Sequence, residues 1–229
     1  IGVRLVGSEM CIRDSNQGYQ YAKEYFGNGY IIVLNNDIEF TQKNFVSILE
    51  ESYHSHPCHI IGPDVIRQGT GEHQNPMDIR LRTKEEACYT IKMNRMALRF
   101  YPLLYPAVYC MLQKAEKSKL KNKEKQAALS HQLQTDVIPF GACLIFTPLF
   151  AEKEEKAFDP ETQFFYEEYI LALRCRRKNY KIVYDSSMTV NHESGAATKK
   201  SYSTEKKRIR FMLEKTAAAC EVYLEMLGE

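Results

Sequence analysis

Residues 16–40 read NQGYQYAKEYFGNGYIIVLNNDIEF, and the punctuation of this stretch decides the fold class. Tyr19, Ala22 and Phe26 recur at spacings of three and four, the period of one helical face. Gly27-Asn28-Gly29 then stops the helix, since the left-handed turn that closes a helix is least strained in glycine. Residues 30–34 (YIIVL) form a short, unbroken apolar run rich in β-branched side chains. Such a run suits a strand covered on both faces, as in a parallel sheet. It ends in Asn35-Asn36-Asp37, and Thr41 reads as the N-cap of a helix carrying Phe45, Ile48 and Leu49. A second apolar strand over 59–62 leads into Pro63-Asp64. Helix and strand alternating at such short intervals predict a layered α/β fold.

Upstream, residues 1–15 (IGVRLVGSEMCIRDS) carry neither strand alternation nor a helical stripe. The tail GSEMCIRDS resembles a translated sequencing-adapter fragment, so this stretch is expected to be a non-native leader that joins the helix abruptly at Asn16. Downstream, the pattern loosens over about 68–134, which reads as a variable helical insertion. Gly, Asn and Pro cluster over 69–76, a helix is expected over 83–98, and the uncharged run FYPLLYPAVYCML spans 100–112. A lysine-rich segment follows with Lys114, Lys117, Lys119, Lys121, Lys123 and Lys125. Order returns over 137–147, where Gly141-Ala142 interrupts an apolar strand, a common mark of close backbone or ligand approach. Phe158-Asp159-Pro160 reads as a turn, and a helix starts at about Tyr166 with Arg174, Arg176, Arg177 and Lys178 near its C-terminus. Two short strands over 181–185 and 188–192 follow, and Tyr202, Ile209, Leu213, Ala217, Cys220, Leu224 and Leu227 trace one face of a helix over about 202–227.

Composition narrows the class. With 229 residues, 44% of them hydrophobic, the chain holds one domain with a sizeable core. A net charge of +2 demands no nucleic-acid partner. No run of about 18 apolar residues suits a membrane span. No basic start followed by an apolar core marks a signal peptide. The seven Cys contain no CxxC pair, which predicts reduced thiols in a cytoplasmic protein rather than a disulfide frame or zinc site.

Three groups can carry chemistry. Asp37 closes a buried strand, where ligands of open α/β sheets gather, and its oxygens suit a hard divalent cation while Asn35 and Asn36 bond sugar or phosphate. Glu167 and Glu168 open a helix, where either carboxylate can take a proton from a hydroxyl. Adjacent helical residues point apart, so one of the two is expected to reach a site. His192 ends a strand, and imidazole is a common metal ligand. His54, His56, Cys58 and His59 run from a helix end through Pro57 into a strand, a spacing that sends ligands to opposite faces.

In this order the groups resemble a family. NQGYQYAKEYFGNGYIIVLNNDIEF resembles the part of the rhamnosyltransferase-like family 2 glycosyltransferases in which an Asn-x-Gly-Tyr helix leads to a strand ending in a DxD-type motif. FDPETQFFYEEYILALRCRRKNYKIVYDSSMTVNH resembles the later block, with an acidic pair opening a helix and a strand pair ending in His, and GACLIF resembles the strand before it. The resemblance covers roughly residues 16–194 apart from the variable stretch. It implies a GT-A fold, a Rossmann-like mostly parallel sheet flanked by helices and here lacking its first strand–helix units. It implies a nucleotide-diphosphate sugar donor, a Mg²⁺ or Mn²⁺ ion on the diphosphate, and inversion by direct displacement.

Carried over by position, Asp37 and His192 hold the metal, Glu168 is the catalytic base and Glu167 the acidic residue before it. Asn16, Gly18, Asn35, Asn36, Gly141 and Ala142 contact the donor or line its cleft. Three departures stand out: Asn35 replaces the first Asp of the metal motif, Glu168 replaces the usual Asp, and the family's opening strand and nucleotide-contacting loop are absent before Asn16. The implied role is assembly of a bacterial cell-surface polysaccharide on a glycan or lipid-linked glycan acceptor. The alternatives are a non-catalytic carbohydrate- or nucleotide-sugar-binding fragment, or a sugar nucleotidyltransferase, which needs a Gly-rich phosphate loop. The apolar run at 100–112 and the lysines after it fit two readings: an internal helical hairpin whose apolar half packs on the sheet with its lysines solvated, or peripheral contact with the inner membrane surface.

Overall fold

The computed structural model describes residues 12–101, 103, 105–114, 133–158, 162, 165–193 and 204–228. Along the chain run α1 (Ile12–Phe26), β1 (Ile31–Leu34), β2 (Ile38–Phe40), α2 (Phe45–Ser55), β3 (Ile60–Arg67) and α3 (Lys84–Arg99). Then come β4 (Gln134–Thr135), β5 (Cys143–Phe146), α4 (Pro148–Ala151), α5 (Glu167–Arg177), β6 (Ile182–His192) and α6 (Glu205–Gly228). Residues 105–114 are also helical. The lysines at 117, 119, 121, 123 and 125, the Asp159-Pro160 turn and most of the expected leader lie outside the described residues.

The strands form one sheet in the order β1-β5-β3-β6-β2, with β4 also beside β6. Among the described residues only β3 and β6 run parallel, and the other pairings are antiparallel. The expected mostly parallel sheet is thus corrected to a mixed one. An apolar run reports that both faces of a strand are covered, and it carries no record of strand direction. Both faces are covered here: Leu144 and Phe146 of β5 join one core with Tyr19 of α1 and the apolar side of α5. Cys143 and Ile145 join a second core with Phe45 and Leu49 of α2.

Helix α1 begins at Ile12, so the expected break at Asn16 is absent. Ile12, Ser15, Asn16 and Tyr19 are all buried at spacings of three, one and three, and two polar members hid this stripe from a hydrophobic reading. Tyr19 is wedged edge-on against Phe146 and Phe150 at 5.4 and 6.1 Å. The stop at Gly27 is as expected, with φ of 74° and its N–H on Lys23 O at 3.0 Å. Helix α3 has a complete capping box: Thr83 accepts from Glu86 N, and Glu86 accepts from Thr83 N. Thr41, by contrast, caps nothing. Asn44 holds the N-cap position of α2 without a side-chain bond.

The two short strands expected before His192 are one strand. Between Pro63↔Asp185 and Asp64↔Thr189 the register slips, so Ser186, Ser187 and Met188 form a bulge, with Ser187 exposed and Met188 buried in the second core. The bulge persists because its polar groups are met. Asp185 Oδ1 accepts from Ser187 N (2.9 Å) and Ser187 Oγ (2.6 Å), while Ser52 Oγ bonds Asp185 Oδ2. Gln42 donates to Ser187 O and accepts from Thr189 N, at 2.9 and 2.7 Å. This anchoring carries β6 on to pair with β2, an element the sequence presented only as a turn after Asp37.

Candidate active site

The strand pairing that sequence reasoning missed builds the first half of the site. Ile38 of β2 faces His192 of β6 in register, and Glu193 N donates to Asp37 O at 3.0 Å. Asp37 Oδ1 therefore lies 3.3 Å from His192 Nε2, with side chains only 13% and 7% exposed. On the other ring nitrogen, Nδ1–H donates to Gln74 Oε1 at 2.6 Å. Gln74 thus fixes the tautomer that turns the Nε2 lone pair towards Asp37. Burial, with the nearby Arg67 charge, holds the ring below its usual pKa against the opposing pull of Asp37. A neutral nitrogen lone pair facing a carboxylate oxygen is repulsive unless a cation or proton lies between them.

A Mg²⁺ or Mn²⁺ ion fits this pair. Two ligand atoms about 2.1 Å from one ion, set at a right angle or slightly wider, stand about 3.0–3.4 Å apart. Among the described residues no group of three or more His, Cys, Asp or Glu is placed to hold a metal. Two protein donors suffice for an ion that phosphate oxygens and water complete. Asn35 adds a buried Oδ1 with no hydrogen-bond partner at the end of β1. Beside these residues opens a polar cleft of about 230 Å³ lined by Asn36, Asp37, Glu39, Gln68, Asn191 and Glu193.

The second half is the carboxylate pair. Glu168 is buried, and its Oε1 accepts from Gly141 N at 3.2 Å. Glu167 Oε2 is buried without a partner. Burial and the neighbouring Glu168 charge push Glu167 up to about 8. Burial also raises Glu168, opposed by the N–H groups it accepts from, its own and that of Gly141. Near neutral pH the pair therefore retains a proton. Both carboxyl groups are buried and feel each other. The chain enters α5 through Phe165 and Tyr166 in left-handed conformation, φ 66° and 60°. Non-glycine residues rarely adopt it, and such strain is concentrated where geometry serves a site.

One segment joins the halves. Phe140 packs its ring 6.0 Å from that of His192, Gly141 N–H reaches Glu168, and Ala142 O accepts from Asn35 N at 2.9 Å. Asn75 pins this segment, accepting from Phe140 N at 3.0 Å and donating to Pro63 O at 2.6 Å. Gln74 and Asn75 were missed because 69–76 read only as a loop. The Asn-Pro dipeptide there was the one available signal. Glycine at 141 is required by space, since a Cβ would lie 2.7 Å from Glu168 Oε1. Gly141→Ala should displace that carboxyl and lower turnover at least tenfold, while Gly29→Ala, whose Cβ meets nothing within 4 Å, should not. Parallel kinetics and melting curves check this.

Two expected donor contacts are not brought here. Asn16 uses its whole amide on Phe158, donating to its O at 3.0 Å and accepting from its N at 2.9 Å. It is a buried fastener of α1. Of the residues expected at the donor, Asn36 lines the cleft, while Asn16, Gly18, Asn35, Gly141 and Ala142 do not. The His cluster disperses as expected: His54 Nδ1 donates to Glu50 O, and His59 stacks on Tyr180 at 4.2 Å.

No family model matches this chain, and neither does any curated protein or solved structure.

Proposed function

We propose that the chain is a glycosyltransferase of GT-A type. It moves a sugar, with inversion, from a nucleotide-diphosphate donor to a hydroxyl of a glycan or lipid-linked glycan in cell-surface polysaccharide synthesis. One observation carries the reading: residues 140–142 touch the Asp37–His192 pair's surroundings and the Glu167–Glu168 pair within three consecutive positions. A cation-ready pair and a proton-accepting pair on one short segment are what direct displacement at a sugar needs.

In this reading the ionised Glu168 takes the proton from the acceptor hydroxyl. As that oxygen bonds the anomeric carbon, the carbon–oxygen bond to the diphosphate breaks and its electron pair leaves on the phosphate oxygen. Glu167 keeps the remaining proton of the pair, which limits repulsion while Glu168 is charged. Asp37 and His192 would hold a Mg²⁺ or Mn²⁺, which when bound supplies positive charge to the diphosphate. Asn36 and the unpartnered Asn35 oxygen offer bonds to donor hydroxyls.

The test is release of nucleoside diphosphate from a panel of nucleotide-sugars with Mn²⁺ and simple glycan acceptors. Metal-dependent release that Glu168→Gln removes supports transfer. Donor binding without any release assigns the chain to a binding role instead.

A further inference from the structure

The inner side of α3 and of the helix over 105–114 is committed. Ala87, Ile91 and Tyr101 are buried, and Leu98, Tyr105, Val108 and Leu112 pack beside Ile209 and Leu213 of α6. The outer side carries large apolar side chains as well. Tyr89, Met96, Phe100 and Leu103 recur at spacings of seven, four and three, with Leu103 82% exposed, and Tyr109 and Met111 continue outward. An ordinary surface helix pairs its apolar inner stripe with a charged outer face. On this one the outer face interleaves exposed apolar side chains with charged ones.

Its charges are mainly cationic. Glu85 and Glu86 stand in the first turn of α3, and from 87 to 114 the charged residues are Lys92, Arg95, Arg99 and Lys114. Lys92, Met96, Arg99 and Leu103 share a face at helical spacing, all exposed. Arg95 is partnered by Glu221 at 2.5 Å, and the Arg99 guanidinium lies 5.7 Å from the Phe100 ring. Lys92 and Lys114 add two further exposed cations to the face.

We infer that this face lies on an anionic lipid surface, with Met96, Phe100 and Leu103 at the acyl boundary and Lys92, Arg99 and Lys114 among the headgroups. A row of aromatic and long aliphatic side chains with interleaved cations is what the headgroup–acyl boundary accommodates: flexible stems reach down and charged ends reach out. The surface is a convex helix flank, which a fluid bilayer meets without a matching groove. No helix among the described residues is long and apolar enough to cross a membrane, so the contact is peripheral. The inference does not depend on the transfer chemistry, because vesicle binding is read without donor, acceptor or metal.

Flotation of the full chain with phosphatidylcholine vesicles, with and without phosphatidylglycerol, tests it. Binding should require phosphatidylglycerol and fall as NaCl rises. The pair Lys92→Gln and Arg99→Gln should lose roughly twentyfold in affinity, about fivefold for each cation removed. Met96→Asp with Leu103→Asp should lose at least about tenfold by replacing buried apolar surface with charge, with the circular dichroism and melting temperature of the parent. Equal binding to neutral vesicles, or no vesicle binding, overturns the inference. So does a dimer in light scattering that Leu103→Asp dissociates, which would give the face to a second copy of the chain.

Discussion

Glu168→Gln lowers turnover by about 10²–10⁴-fold and leaves donor affinity unchanged, as removal of a positioned general base does. Glutamine preserves the volume, and its amide oxygen can still accept from Gly141 N–H, so the fold around residues 140–142 survives. What is lost is the basicity. Glu167→Gln separates the partners: it leaves a neutral neighbour in place and costs far less activity. If Glu167→Gln proves the crippled variant, the base is Glu167. The pair also fixes a pH dependence of stability. Both carboxyls are raised above the ordinary 4.5, Glu167 to about 8. The unfolded chain therefore releases these protons first as pH rises. Stability supplied by the protonated pair is complete below about pH 4.5 and is lost on the way up through about 8. Glu167→Gln removes its own share of that loss. It should melt about 5 °C or more above the parent at pH 9 and alongside it at pH 4, by calorimetry at each pH.

If Asp37 and His192 hold the metal as proposed, Asp37→Ala should abolish the Mn²⁺ dependence of donor binding, with a loss on the order of 100-fold, because it removes one of the two proposed ligands and leaves a neutral imidazole. Asn35→Ala does less, since it removes a bond to donor rather than a ligand. Gln74→Leu is the more discriminating variant. It leaves both ligands in place and frees the ring to take the other tautomer, which should cost about 10–100-fold in metal affinity. Titration calorimetry with Mn²⁺ alone, then with a nucleotide-sugar, reads the two effects separately. Unchanged donor affinity in Asp37→Ala removes the metal assignment, and unchanged Mn²⁺ affinity in Gln74→Leu removes the positioning role of Gln74.

The sequence by itself determined the elements that local forces write. The strand at 30–34, the Gly27 stop, the helix over 83–98, the acidic opening of α5 and the long C-terminal stripe all depend on residues within a turn or two of one another. Their signals survive in a linear reading. It also singled out Asp37, His192, Glu168 and Gly141, because strand ends and helix starts are where such residues are exposed to chemistry. Only the tertiary structure decided what those residues meet. Sheet direction, the joining of two short strands through the bulge at 186–188, and the pairing of Ile38 with His192 are contacts across long stretches of chain. No local pattern encodes them. The same holds for Gln74 on the imidazole, for Asn75 on Phe140 and for Asn16 turned inward to Phe158. The joint burial of Glu167 and Glu168 depends on what covers the start of α5. Periodicity records which face of an element is apolar, whereas desolvation, proton sharing and ligand geometry depend on which neighbour that face is brought against.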